Sequence, residues 1–335
     1  MQRPAAANGQ PKVCPFDFFD PGVPLGVLPP IEDVIPLVPA WAGRQVTHSL
    51  LKGGLSHRIH RVEVDGHPVI LRVLNPAVSD AGLGIPPEQE IENTVRAAAS
   101  GVGARVLHVV PEVPAVVLEF LDGATMSVDT VRDAVNIPRI AGACLTLHRR
   151  SRPFVNQFSI FRKLDELLGI CRRHELRVPD RYEDYLPAVR DVEQAMDTWP
   201  VRRVPCHNDL LAENLIDTGA GVRIIDYQLS GMNDAAFELG DVAAESDFDP
   251  DRTDRLASAY YGEELTPALA ARVRLNLLMS NYTWTLWFSV YHGLLHNPEA
   301  GFDYWTEAND KWGQARRDIE APEFGRLVDA VGGHR

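Results

Sequence analysis

The 335-residue chain carries 33 Lys and Arg against 46 Asp and Glu, a formal charge of −13, and is 45% hydrophobic, which suits a globular protein of about two domains. The acidic balance argues against a nucleic-acid partner, whose footprint is a basic face, and favours cationic ones. No stretch reaches the roughly 20 apolar residues of a membrane span and the opening MQRPAAANGQPK lacks a signal-peptide core, so the expectation is a cytoplasmic protein without membrane insertion.

Residues 1 to about 30, rich in Pro, Ala and Gly, are expected to form an N-terminal arm without regular structure. A first lobe is expected over 31–121. From Thr47 to Leu74 the pattern predicts strand, glycine turn, strand, the Asp65-Gly66 turn and the strand PVILRVL. A proline start and Glu-rich first turns predict a helix over Pro87–Ser100, and RVLHVV and AVVLEFL supply two further strands. The sum is a small five-stranded antiparallel sheet plus one helix.

Residues 122–335 are expected to form a larger, mostly helical lobe, with helical spacing over 127–150, 158–176 and 180–198 and again from about 250 to 318. The interruption is VPCHNDLLAENLID and the hairpin NLIDTGAGVRIIDY, turning at Thr218 to Gly221. The fold class is therefore α+β and bilobed, with a cleft between the lobes. Cys14, Cys144, Cys171 and Cys206 are scattered, without a C-x-x-C pair, and are expected to be reduced thiols.

The interruption carries the chemistry. Asp209 lies two residues after His207 and five before Asn214, and Asp226 closes the strand VRIID. A carboxylate to take a hydroxyl proton, an amide and a second carboxylate to share a metal ion, and a histidine to brace the loop are what phosphoryl transfer needs. The competing reading of HND alone, an Asn/Asp turn with a structural histidine, loses ground because the glycine turn, a strand-borne cation and a helix-borne carboxylate precede it in kinase-like order.

CHNDLLAENLID with VRIIDYQLSGMNDAAFELGDVAAES resembles the choline/ethanolamine kinase branch of the aminoglycoside-phosphotransferase-like, protein-kinase-like fold, from about Ile31 to Ile319. The resemblance implies ATP and Mg²⁺, with Asp209 as the base supported by His207, and Asn214 and Asp226 on the metal. Gln228 stands where the family usually has a glutamate; it can ligate through its carbonyl but removes a negative charge. In LKGGLSHRI the resemblance places Gly53, Gly54 and Ser56 at the ATP phosphates, Ser56-His57 replacing the commoner Thr-Asn. Arg72 takes the place of a strand lysine, and Glu90, in an E-x-x-N segment with Asn93, is its implied partner, with Glu92 competing. Glu119 to Leu121 would be the connector that reads adenine.

In NYTWTLWFSVY, Trp284, Trp287 and Tyr291 share one helix face, a pattern that usually means core packing. The family carries a similar aromatic segment, so Trp284, Trp287 and Tyr304 are implied walls of an ammonium box, with Glu245 adding charge. The expected partner is a small amino alcohol, choline or ethanolamine first. An aminoglycoside or other aminated acceptor, or a kinase-like binding module without turnover, are the alternatives.

Overall fold

Alternating apolar residues and one tight turn build the small lobe. The computed structural model describes residues 28–51, 56–295 and 302–333. A short helix, α1 (Ile31–Val34), precedes the meander of β1 (Val46–Leu50), β2 (Arg58–Val64) and β3 (His67–Val73). Asp65 (φ 50°) and Gly66 (φ 80°) both take the left-handed conformation that a two-residue hairpin demands, which fixes the pairing of Val64 with His67. Val62, Val64, Leu71 and Val73 then face one way and close over Val34 and Trp41.

The crossover contains α2 (Pro76–Asp80) and α3 (Pro87–Ser100). The second covers the predicted span: Pro87 opens it, Glu88 and Glu90 sit in its first turn, and Gly101 (φ 87°) ends it. With β4 (Val106–Val110) and β5 (Ala115–Glu119) the sheet is five-stranded, antiparallel, in the order β1-β2-β3-β5-β4.

Beyond it run β6 (Ala124–Thr125), α4 (Val128–Arg132), α5 (Ile137–Arg150), α6 (Ile160–Arg173) and α7 (Leu186–Asp197). The helix expected over 127–150 is thus two. Asp133 is extended (ψ 129°) and breaks the run, and Pro138 sits in the first turn of α5, where its missing N–H costs no helical bond. Next come β7 (Val204–Cys206), β8 (Leu215–Asp217), β9 (Val222–Ile224) and β10 (Gly231–Asn233), then α8 (Ala235–Glu245), α9 (Pro250–Tyr261), α10 (Pro267–Val290), α11 (Tyr304–Glu320) and α12 (Phe324–Gly332). Helix resumes at Ala235, earlier than the expected 250, because Asp234 caps it by accepting from Ala236 N–H at 2.8 Å. The strand pair β7 with β10 was not anticipated either.

Helix α10 is buried on nearly every side by α6, α8, α11 and α12 and forms the axis of the helical lobe. Two ties fix the hairpin β8-β9 beside the small lobe: Ile224 N–H donates to Val102 O at 3.0 Å, and Arg223 Nη2 contacts Gly103 O and Glu119. Cys144, Cys171 and Cys206 are free thiols, whereas Cys14 lies outside the described residues. Among the described residues no helix is long and apolar enough to cross a membrane.

At the α8–α10 crossing, Gly240 leaves no room for a side chain: a Cβ there would sit 2.5 Å from Leu277 N and 2.7 Å from Asn276 C, both backbone. Gly240→Ala should therefore lower unfolding stability by about 3 kcal/mol, a large overpacking cost because the clash is with backbone. Urea denaturation checks this, and a midpoint matching the wild type would mean that the two helices part freely.

Candidate active site

The segment after β7 is held from below. His207 and Asn208 are fully buried, and both backbone N–H groups donate to one carboxylate, Glu238, at 2.8 Å each. Burial pushes that carboxyl up, but His148, lying 3.4 Å away, and the Asn208 N–H outweigh it and keep Glu238 below the usual range. Asn208 adopts φ 67°, its amide donating to Leu229 O at 2.9 Å and accepting from Asn233 at 2.8 Å. An Asn tolerates this left-handed turn better than most residues.

His207 works as a brace through both ring nitrogens. Asp209 N–H donates to its Nδ1 at 3.3 Å, which places the ring proton on Nε2, 2.8 Å from Ile225 O. Burial depresses its pKa and favours the neutral ring. The same histidine therefore fixes the backbone of Asp209 and that of the residue before Asp226. Asn214 donates from its amide to Asp209 O at 2.8 Å, leaving its side-chain oxygen for another partner, and Asp226 stands at φ 69°. Asp209, Asn214 and Asp226 thus converge on the cleft.

The Asp209 carboxyl is pushed well above its ordinary value by burial and then by the charges of Asp241, Glu245 and Asp226. Asp241, raised to about 7 by burial and by Glu245, accepts from Leu210 N–H at 2.7 Å, Ser280 at 2.8 Å and Trp284 Nε1 at 3.1 Å.

From the small lobe, Arg72 near the end of β3 reaches across the cleft. Its Nη2 pairs with Glu90 Oε1 at 2.9 Å and also with Asp226, while its buried Nε has no hydrogen-bond partner. Glu92, the competing candidate, pairs instead with Arg96 at 2.7 Å. His57, one of the departures in the sequence, takes Asn75 N–H on Nδ1 at 2.9 Å and so presents Nε2–H to Glu90 at 3.1 Å. Asn93 is fully engaged: it donates to Asn156 at 2.8 Å and Ser230 at 3.0 Å and accepts from Val155 N–H at 3.0 Å, tying α3 to the helical lobe.

Behind Arg72 and Asp226 lies a narrow cavity with an apolar wall of Leu74, Ala104, Leu118 and Ile225. Sequence periodicity could not single these four out, because they are core-type residues and only Leu118 lies within a strand. Leu121 packs at the edge of the same apolar cluster, whereas the Glu119 side chain accepts from Arg105 N–H at 2.8 Å and pairs with Arg223. Ser56 is half-buried; Gly53 and Gly54 lie outside the described residues.

The aromatic face is closed. Trp287 stacks on Tyr291 with ring centroids 5.0 Å apart, and Tyr291 on Tyr304 at 4.4 Å, all of them buried with Trp284. Trp287 Nε1 and Gln228 Nε2 both donate to Leu83 O at 3.1 Å. Gln228 is therefore a tie to the 83–85 loop, which returns a bond from Ile85 N–H to Gln228 O at 3.0 Å. Glu245 pairs with Lys311 at 2.8 Å, a partner that the sequence reading missed. Lys311 lies on α11, two turns after Tyr304.

A five-stranded sheet with one long helix, set on a helical lobe with these groups at the junction, is the layout of a kinase-like phosphotransferase. Residues 48–260 match the choline/ethanolamine kinase family. A solved choline/ethanolamine kinase family protein from Mesorhizobium loti superposes with a TM-score of 0.78 at 29% identity, covering 91% of this chain and 98% of that one. Protein LicA of Haemophilus influenzae is 22% identical over 246 residues, 71% of each chain. Thiamine kinase of Salmonella newport (strain SL254) is 33% identical over 76 residues, 23% of this chain and 27% of that protein. The chain belongs to the choline/ethanolamine kinase family, and it is a small-molecule kinase.

Glu238→Gln tests the brace, because an amide offers one acceptor oxygen for two N–H groups. Leaving a buried donor unsatisfied should cost about 1–3 kcal/mol. A depressed pKa means that the wild type loses this contribution as pH falls through the folded value, below the ordinary glutamate range, and the variant should lack that limb. Stability against pH by chemical denaturation reads both; parallel curves would remove Glu238 from the account.

Proposed function

We propose that the protein transfers a phosphoryl group from ATP, with Mg²⁺, to the hydroxyl of a small amino alcohol, choline or ethanolamine first. The observation that carries the reading is the pairing of Arg72 with Asp226 across the cleft, with a buried Arg72 Nε left unbonded and the Asp226 charge felt at Asp209. An orphaned guanidinium donor suits a phosphate, and the narrow apolar-walled cavity behind it suits the start of a nucleoside site. Asp226 and the Asn214 oxygen are hard oxygen donors of the kind that suit Mg²⁺. The residues present therefore fit both groups.

In this reading Asp226, Asn214 and, through its remaining carbonyl, Gln228 would hold Mg²⁺, which would supply neutralisation of phosphate charge. Arg72, positioned by Glu90, would bind phosphate oxygens, with Gly53, Gly54 and Ser56 supplying backbone donors over them. The Glu119 to Leu121 connector would face the adenine at the junction of lobes 31–121 and 122–335. Asp209 would orient the acceptor hydroxyl and take its proton, its raised basicity helping that transfer, and His207 would keep its backbone in place. Trp284, Trp287, Tyr304 and Glu245, closed here by stacking and by Lys311, would form the ammonium end once an acceptor displaces those contacts.

One observation supports a different acceptor. The stretch shared with thiamine kinase belongs to an enzyme whose substrate also joins a permanent cation to a hydroxyl. Thiamine therefore belongs on the panel.

ADP release from Mg²⁺-ATP, measured with choline, ethanolamine, thiamine and aminoglycosides, should show turnover with an amino alcohol. Silence with every acceptor beside tight choline binding would point to a binding module instead. Asp209→Asn should lower kcat by about 10²- to 10⁴-fold, the usual worth of a positioned base, with nucleotide affinity kept within a few-fold. Retained turnover would take Asp209 out of the mechanism.

A further inference from the structure

Helix α8 presents two carboxylates to the acceptor side of the cleft, one turn apart. Asp241 binds the backbone of Leu210, next to Asp209. Glu245 follows four residues on, and its carboxylate is met by the Lys311 ammonium from α11 at 2.8 Å. Both side chains are withdrawn from water, 6% and 4% exposed. The pair lies in the field of the catalytic segment: after burial and Asp241, Glu245 raises the Asp209 carboxyl and Lys311 lowers it. Glu307, one turn before Lys311 on α11, is raised by burial and lowered by the same ammonium.

A buried lysine-carboxylate pair gains little over an apolar pair, yet removing one member leaves a charge that demands a substitute. Here the demanding charge is Glu245, the group to which the proposed reading assigns the acceptor's ammonium. We infer that Lys311 is a specificity-determining residue of the acceptor site: its ammonium takes the carboxylate that a cationic acceptor would otherwise use, so such an acceptor binds by displacing the chain's own cation. This rests on the reading that α8, α10 and α11 hold the acceptor. Two consequences follow from charge balance alone. Without the lysine head, Glu245 is open to an external ammonium; without both charges, it is not.

Lys311→Met retains most of the stem and removes the cation. In calorimetric titration of the full chain, it should bind choline about tenfold more tightly than the wild type, because an unopposed close charge pair becomes available. KM for choline should fall with it, while kcat stays within a few-fold. The pair Glu245→Gln with Lys311→Met should lose that gain. A lysine with a purely structural role would give lower stability with no gain in choline affinity, and that result overturns the inference.

Should Lys311→Met unfold readily, its thermal midpoint with methylammonium chloride against sodium chloride reads the same site. A rise specific to methylammonium and larger than in the wild type supports the inference; equal shifts overturn it. The two readings also part cleanly. If no amino alcohol is phosphorylated but methylammonium still rescues Lys311→Met, the acceptor assignment fails and the ion site stands. If the wild type phosphorylates choline and no ammonium ion rescues or tightens, the inference about Lys311 fails and the acceptor reading stands.

Discussion

Everything at the junction of the two lobes depends on one buried guanidinium. Arg72 comes from near the end of a strand in the small sheet, is 5% exposed, and is shared between Glu90 of α3 and Asp226 beyond the β8-β9 hairpin. Pairing of this kind gives modest net stability, because desolvation of three charges opposes their attraction. What it fixes is geometry: strand, helix and hairpin are each tied to one planar group. His57 adds a neutral donor to the second oxygen of Glu90, so the carboxylate is held from two sides. Any ligand that takes up Arg72 Nε enters a site whose other three corners are already set.

Below that junction, the segment His207 to Asn214 is placed by backbone bonds to buried carboxylates. Glu238 takes the N–H groups of His207 and Asn208, and Asp241 takes that of Leu210. Both belong to α8, packed at Gly240 against the backbone of α10. The chain thus runs from a glycine contact, through one helix, to the orientation of Asp209. Left-handed Asn208 and Asp226 each cost about 1–3 kcal/mol of strain; these bonds hold the first, and the pairing with Arg72 holds the second.

How much of this was legible depends on the range over which each interaction acts. The meander, its Asp65-Gly66 turn and the span of α3 were readable because alternation, turn chemistry and a proline start are local. His207, Asp209, Asn214 and Asp226 were readable as a motif, and the structure brings them together. The work of Glu238 was not, since it acts on the backbone N–H groups of His207 and Asn208 about 30 residues away, and those carry no side-chain signature. The aromatic stripe shows the same limit: periodicity placed Trp284, Trp287 and Tyr291 on one face but could not say what covers it. Stacking with Tyr304 and the bond from Trp287 to Leu83 O close that face from two directions.

That closure bears on what the departures from the family pattern do. Gln228 and Trp287 donate to the same carbonyl, Leu83 O, so a residue of the proposed metal side and one of the proposed acceptor side meet on one short loop. A glutamate at 228 would offer that carbonyl no donor, whereas glutamine does; the lost charge is matched by a bond that a carboxylate cannot make. At the other end, Glu245 is neutralised by Lys311 from within the chain. Asp241 joins the two proposed ends again, accepting from Leu210 N–H beside Asp209 and from Trp284 Nε1. In the proposed reading a change of charge at Glu245 or Lys311 would therefore reach Asp209 through α8, while Arg72 keeps its own ties to Glu90 and Asp226.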